Sequence, residues 1–417
     1  MFRQLTYLFL LLPYLLLAQE QSSQDSGFFW VPEIMIGQSA EANEDYPDRS
    51  LQWQALINLS WSHANSDQEW AHRLKGPRTG ISIGYTNYGN NRELGGSYSA
   101  LPFIEFNVFR QQRLSVLAAM GISYFDTKYD PITNPNNRGI TTDFVWSFKT
   151  FMYYRLLETP GINWKLGIGY NHHSNGHTRL PNQGVNSFLL SVSAEIDPPE
   201  DRNEAWAQFE RSRYSLYSVR AGFGVNALSE AFNDKKPVYT FMAEYGRVYN
   251  NTWKWTAGVF YRFYQHYYDY IANEESLVQP GREFEDFTSA PGWNASNIGI
   301  MGSGEVLLNH VGIEISIGLN IHKPAYKIDW RINQGWDNTP ADIPEFWQLG
   351  EFDTKFRLKH AIASRLGLKY YLWPTKEFRP NNLYFSFHIN ANLGQADFTE
   401  FGIGYIHQFD LIKGDRD

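Results

Sequence analysis

Between Val311 and His322 the chain alternates without a break: Val311, Ile313, Ile315, Ile317, Leu319 and Ile321 fall on one side, Gly312, Glu314, Ser316, Gly318, Asn320 and His322 on the other. A repeat of two is the strand repeat, in which successive side chains point to opposite faces of a sheet. The same pattern runs from Leu383 to Leu393, where Phe385, Phe387, Ile389 and Ala391 oppose Tyr384, Ser386, His388, Asn390 and Asn392. It recurs less cleanly over 401–409, because Ile406 and His407 each break the parity. Comparable runs lie near 51–63, 80–89, 100–124, 140–156, 213–226, 237–247 and 252–266, divided by turn clusters such as Gly89-Asn90-Asn91 and Tyr249-Asn250-Asn251. Counting the longer runs as hairpins, the pattern predicts about 14 strands, within limits of about 12 to 16.

Two architectures bury strands of this kind. A soluble sandwich hides the apolar face and exposes charge, whereas a transmembrane barrel turns the apolar face to lipid and fills its lumen with small and polar side chains. Here the second face is rich in Gly, Ser and Asn, and Trp and Tyr gather at segment ends as an interfacial girdle does. The expected fold is an all-β, transmembrane antiparallel barrel.

Composition narrows this further. Aromatic residues make up 17% of the 417, which excludes a disordered chain, and a mean hydropathy of -0.44 excludes a bundle of membrane helices. A formal charge of -8, with no basic stripe, removes nucleic acid as a partner. With no Cys the fold uses no disulfides. Arg3, the largely apolar run Leu5–Ala18 and the polar stretch that follows have the form of a signal peptide, with the cut near Ala18. The expected organisation is therefore a signal peptide over 1–18, a barrel over 19–409 and a C-terminal tail over 410–417.

Candidate chemistry is concentrated between Trp164 and Ile196. Trp164, Leu166, Ile168, Tyr170, His172 and Ser174 share one parity, opposite Lys165, Gly167, Gly169, Asn171 and His173. His172 and Ser174 thus continue the lipid-facing row. On the next strand Asn186 lies in line with Phe188, Leu190, Val192 and Ile196, so it faces lipid as well. A hydroxyl, an imidazole and a carboxamide at the ends of two neighbouring strands have the types required for a nucleophile, its base and the group that orients the base. The same residues also suit ordinary turn chemistry. A zinc site from His172, His173 and His177 is disfavoured, since 172 and 173 have opposite parity and no carboxylate or Cys completes the set.

The run His172 to Ser187, His-His-Ser-Asn-Gly-His-Thr-Arg-Leu-Pro-Asn-Gln-Gly-Val-Asn-Ser, resembles the active-site segment of the outer-membrane lipid A deacylases, the PagL-like acyloxyacyl hydrolase family. His172, Ser174, Asn175, Pro181, Asn182, Gly184 and Val185 fall on that family's pattern, and Asn186 stands where it has Glu. The segment is also similar to that of outer-membrane phospholipase A, through His172, Ser174, Asn175, Gly176 and Asn186. Pro181-Asn182-x-Gly184 favours the deacylases. Runs Arg365–Tyr371 and Ala396–Tyr405 look like the closing strands of longer acyloxyacyl hydrolases.

The resemblance implies a carboxylic ester hydrolase in the outer membrane of a Gram-negative bacterium. Its catalytic residues are Ser174, His172 and Asn186, with Asn175, Gly176 and Asn182 as oxyanion candidates, and its partners are membrane lipids, lipid A first. Phospholipase A activity on glycerophospholipids is the alternative. A non-catalytic channel or scaffold, with Glu314, Arg365 and Lys369 lining a pore or plug, is the alternative of another class. No cofactor or metal follows from these residues; the phospholipases use calcium in a dimer, and the sequence leaves both calcium and oligomeric state open.

Overall fold

The computed structural model describes residues 27–108, 113–199, 209–333 and 354–416. The expected signal peptide lies outside them. The first eight strands are β1 (Phe28–Ser39), β2 (Gln52–Ser62), β3 (Arg78–Asn87), β4 (Gly96–Asn107), β5 (Leu114–Phe125), β6 (Phe144–Thr159), β7 (Ile162–Ser174) and β8 (Val185–Ile196). Each pairs antiparallel with the next, and β8 returns to β1 in a ladder from Trp30↔Ile196 to Ser39↔Ser187, closing a barrel. The second set is β9 (Glu210–Asn226), β10 (Lys236–Tyr249), β11 (Trp253–Tyr264), β12 (Ser296–Leu308), β13 (Val311–His322), β14 (Ile362–Tyr371), β15 (Asn381–Asn392) and β16 (Gln395–Arg416). It closes where β16 meets β9.

The chain is thus all-β, but the expected single barrel of about 14 strands is replaced by two barrels of eight. Alternation tells which way a side chain faces and says nothing about which strand is its neighbour, so closure at β8 left no local trace. Nor do the last residues form a separate tail, because β16 continues through Ile412 and Lys413 to Arg416 along β9. Three strands were absent from the alternation: β14, reached only through the resemblance of Arg365–Tyr371, and two whose own residues hide the pattern. In β1 the inward Phe29, Val31 and Met35 are as apolar as the outward Trp30, Ile34 and Ile36, which erases the contrast. In β12, Gly302 and Gly304 dilute the outward row while Met301 and Leu307 point inward. Ile406, off parity in the sequence, is buried in the second lumen against Tyr384 and Leu216.

Eight strands leave a lumen only wide enough for side chains. In the first barrel Glu33 meets Lys149 at 2.8 Å and accepts a hydrogen bond from Tyr153, and Lys165 lies 2.8 Å from Glu105 and 2.9 Å from Glu195. A void of about 10 Å³ remains beside Glu105 and Lys165, room for roughly one water. In the second barrel Glu305 is 2.9 Å from Lys254 and 3.0 Å from Lys369, while Glu314 pairs with Arg365 and Lys369. Glu314, Arg365 and Lys369 are therefore held in ion pairs, with Glu305 as the second carboxylate on Lys369, in a packed interior instead of lining an open pore. Among the described residues no helix is long and apolar enough to cross a membrane.

The barrels stand side by side in the same sense. At one end Ala227 donates to the His177 carbonyl at 2.9 Å, tying the β9–β10 loop to the β7–β8 loop. At the other, Asn251 in the β10–β11 turn donates to Glu69 at 2.9 Å, at the start of the short helix α1 (Glu69–Arg73) between β2 and β3. The second barrel's long connections, 265–295 and 323–361, emerge at the β7–β8 end, and its turns at the opposite end are short.

Candidate active site

His172 and Ser174 end β7, and β7–β8 pairing places Asn186 directly opposite His172. The outward parity read from the sequence holds. His173, one residue away, points into the lumen and bonds Ser147 Oγ through Nδ1 at 2.7 Å. The three histidines of the zinc reading are thereby split between the two faces of the wall.

His172 Nδ1 lies 2.7 Å from Asn186 Oδ1, and the Tyr170 hydroxyl donates to the same oxygen. A carbonyl oxygen only accepts, so Nδ1 must carry the proton, and the neutral imidazole keeps its lone pair on Nε2. Ser174 Oγ accepts from Asn182 Nδ2 at 2.8 Å and from the Gly176 N–H at 3.2 Å. Among the described residues no hydrogen bond joins Ser174 to His172, two positions away on the same face. Ser174 is buried and His172 is half-buried, because this stretch of wall looks toward the second barrel.

Loop 175–184 is built to hold these donors. Gly176 has φ of 67° and Gly184 of 76°, left-handed values that favour glycine. A Cβ on Gly184 would also approach His172 Cε1 to 3.0 Å, pressing on the imidazole. Asn175 is turned away from the site: its Nδ2 donates to the Arg179 carbonyl at 2.7 Å and its Oδ1 accepts from Thr178 N–H at 3.1 Å. Its own N–H donates to Asn182 Oδ1 at 3.0 Å, which fixes that amide with its NH₂ toward Ser174. Of the three oxyanion candidates, Gly176 and Asn182 reach the hydroxyl, and the Asn175 side chain braces the loop instead.

The sequence missed four contributors. Tyr170 shares the parity of His172, so its place was readable although its bond was not. Trp146 lies across from Ser174 on β6, and its indole donates to Thr399 Oγ1 of the second barrel at 3.1 Å. Asn233, also from the second barrel, clamps Leu180 at both ends of the residue, accepting from its N–H at 2.8 Å and donating to its carbonyl at 2.6 Å. No local signal announces contacts between residues this far apart in the chain. Breaking this clamp frees a loop held by about 1–3 kcal/mol, so Asn233→Ala is expected to raise trypsin nicking after Arg179 about tenfold, measured by timed digestion of the folded protein.

Helix α4 (Tyr326–Asn333) packs Ile328 and Ile332 against Tyr264 and Phe398 of the second barrel and brings Asp329 and Asn333 to the space beside Ser174 and His172; α2 (Gln265–Ala272) and α3 (Pro291–Asn294) precede it in the chain. Asp329 on α4 accepts from the Tyr267 hydroxyl at 2.9 Å. Burial pushes its carboxyl up from the usual range, against the opposing pull of His177.

The family model for lipid A 3-O-deacylase (PagL) matches residues 50–195, and that for the acyloxyacyl hydrolase C-terminal domain matches 214–333. The chain belongs to the PagL-like acyloxyacyl hydrolases. Membership implies an outer-membrane hydrolase acting on lipid A, and the two matches fall one on each barrel. A comparison with curated proteins gives no match. Solved structures it resembles include an outer-membrane channel from Pseudomonas putida F1, at 9% identity over 94% of this chain and 98% of that one, TM-score 0.16. The outer-membrane channel DcaP of Acinetobacter baumannii is another, at 7% identity over 92% and 96%, TM-score 0.16. Scores this low carry no argument, and the fold rests on the strand pairing itself.

Proposed function

We propose that the protein is an outer-membrane serine esterase that removes an ester-linked acyl chain from lipid A, with Ser174 as nucleophile, His172 as base and Asn186 orienting the imidazole. The observation that carries this reading is the convergence of Tyr170 and His172 on Asn186 Oδ1. It leaves Nε2 as the free acceptor on the same outward face as the Ser174 hydroxyl. Catalysis requires the serine side chain to rotate its proton toward that nitrogen, and contacts of this kind are often loose before substrate binds.

Ser174 Oγ attacks the ester carbonyl and gives its proton to His172 Nε2. The oxyanion that forms needs fixed donors about 3 Å away, and Gly176 N–H and Asn182 Nδ2 already point at the nucleophile. His172 returns the proton to the departing sugar hydroxyl, leaving the acyl group on Ser174. Water then attacks this acyl ester, again through His172, releasing the fatty acid and restoring the serine. The second barrel's long connections at the site's end support a position at the extracellular rim, since outer-membrane barrels carry short periplasmic turns. Lipid A is the outward lipid there.

The participation of Asn182 from the Pro181-Asn182-x-Gly184 stretch supports the deacylase over the phospholipase alternative. Mass spectrometry of lipids from cells making the protein tests the choice: lipid A lacking one ester-linked chain supports the proposal, while lysophospholipid with unchanged lipid A supports the phospholipase. Tyr170→Phe removes one of the two donors on Asn186 Oδ1. A single hydrogen bond contributes about 0.5–1.5 kcal/mol, so a drop of roughly 3- to 10-fold in kcat is expected in a fatty-acid release assay.

A further inference from the structure

The two barrels touch at both rims and part between them. At the site's end Trp146 meets Phe387 with ring centroids 5.5 Å apart and donates to Thr399. At the far end Trp70 and Ile104 of the first barrel form one buried cluster with Leu308 of the second. Between these contacts lies a cleft of about 3430 Å³ that runs from Trp70 to Ser174 and His172. That exceeds by several times the roughly 300–1,000 Å³ of a pocket for a small ligand.

Its walls are outward faces of strands. Ile81, Pro102 and Ala118 line it from the first barrel, and Ile315, Leu366 and Ile389 from the second. These positions lie at membrane depth, where an apolar gap is not left to water. Only hydrocarbon matches such walls. Polar groups border both ends: His63, Asp67 and Glu69 lie at the Trp70 end, and Ser174, His172 and Asn182 border the other beside Asp329 and Asn333 of α4.

We propose that this cleft is the binding site for the acyl chains of the lipid substrate, with its ester linkage held at Ser174 and the second barrel supplying the opposite wall. The inference rests on the reading of Ser174 as nucleophile for its chemistry, but the cleft's occupant can be tested without turnover. It gives the second barrel, whose own lumen is filled by ion pairs, a role in substrate binding. A lipid with several chains fits this volume, whereas one chain would leave most of it unfilled.

Two measurements test it on the full chain. In the first, the folded Ser174→Ala protein is irradiated with lipid A carrying a diazirine near the end of an ester-linked chain, and labelled peptides are mapped. Label on β13–β15 as well as β3–β5 is expected; label confined to β1, β7 and β8 overturns the proposal. In the second, Ala118→Trp and Ser364→Trp fill the cleft from either wall, and Ile34→Trp on the exposed opposite wall is the control. Hydrolysis of lipid A is expected to fall at least tenfold in the first two and to hold in the control. Hydrolysis of p-nitrophenyl butyrate, whose short chain needs little of the cleft, should hold in the control and fall far less than lipid A turnover in the two cleft variants. Unchanged lipid A turnover in both cleft variants overturns the inference. Loss of Ser174-dependent hydrolysis of both substrates in the parent protein instead overturns the esterase reading, and the labelling result still reports on the cleft.

Discussion

Ser174→Ala is expected to lower fatty-acid release from lipid A by at least about a thousandfold, the scale on which removal of a serine nucleophile acts, while the protein still migrates as a folded, heat-modifiable barrel. The two halves of this result have separate causes. Activity is lost because no other hydroxyl takes that place: Ser174 Oγ is the oxygen on which Asn182 Nδ2 and Gly176 N–H converge. The fold survives because Ser174 is the last residue of β7, and its pairing with Trp146 uses backbone groups that alanine keeps. What the substitution leaves behind is two donors without a partner at the mouth of a cleft, a cost of about 1–3 kcal/mol against a barrel whose lumen is locked by buried ion pairs. Fatty-acid release retained in the folded variant would place the nucleophile elsewhere.

How much of this was legible in the sequence depended on the range of the signal. Facing is local, and parity alone put His172 and Ser174 on the outer wall with Asn186 beside them. Identity of the loop came through resemblance, because Pro181, Asn182 and Gly184 act through turn geometry and one amide contact that spacing can encode. Barrel number was not local. A second closure, between β16 and β9, joins Glu210 to Arg416 across the whole C-terminal half, and strands of one barrel of sixteen would alternate in the same way as those of two barrels of eight. Amphipathic contrast also failed where the inward row is itself apolar, as at Phe29, Val31 and Met35 of β1. The contribution of the second barrel to the site was likewise invisible, since Thr399 and Asn233 look like ordinary strand and loop residues until the barrels are set side by side.

Asn186 is the position where this chain departs from the deacylase pattern, and its substitution separates a positioning role from a structural one. Asn186→Ala leaves His172 Nδ1–H and the Tyr170 hydroxyl without their shared acceptor. An unmet buried donor costs about 1–3 kcal/mol, which corresponds to roughly 10- to 100-fold in rate if it is felt as lost orientation of the imidazole. The loss should fall on kcat with KM unchanged, because Asn186 touches the base and not the chain-binding walls. Asn186→Glu restores an acceptor for both donors and adds a charge that stabilises the imidazolium formed in the transition state. Against this, a carboxylate on a half-buried outward face pays for desolvation that the amide avoids. The two effects oppose each other, so the Glu variant is expected to keep a substantial part of the parent kcat, well above the Ala variant. Under saturating lipid, an Ala variant as active as the parent would reduce Asn186 to a strand residue and leave the imidazole to be oriented by another group.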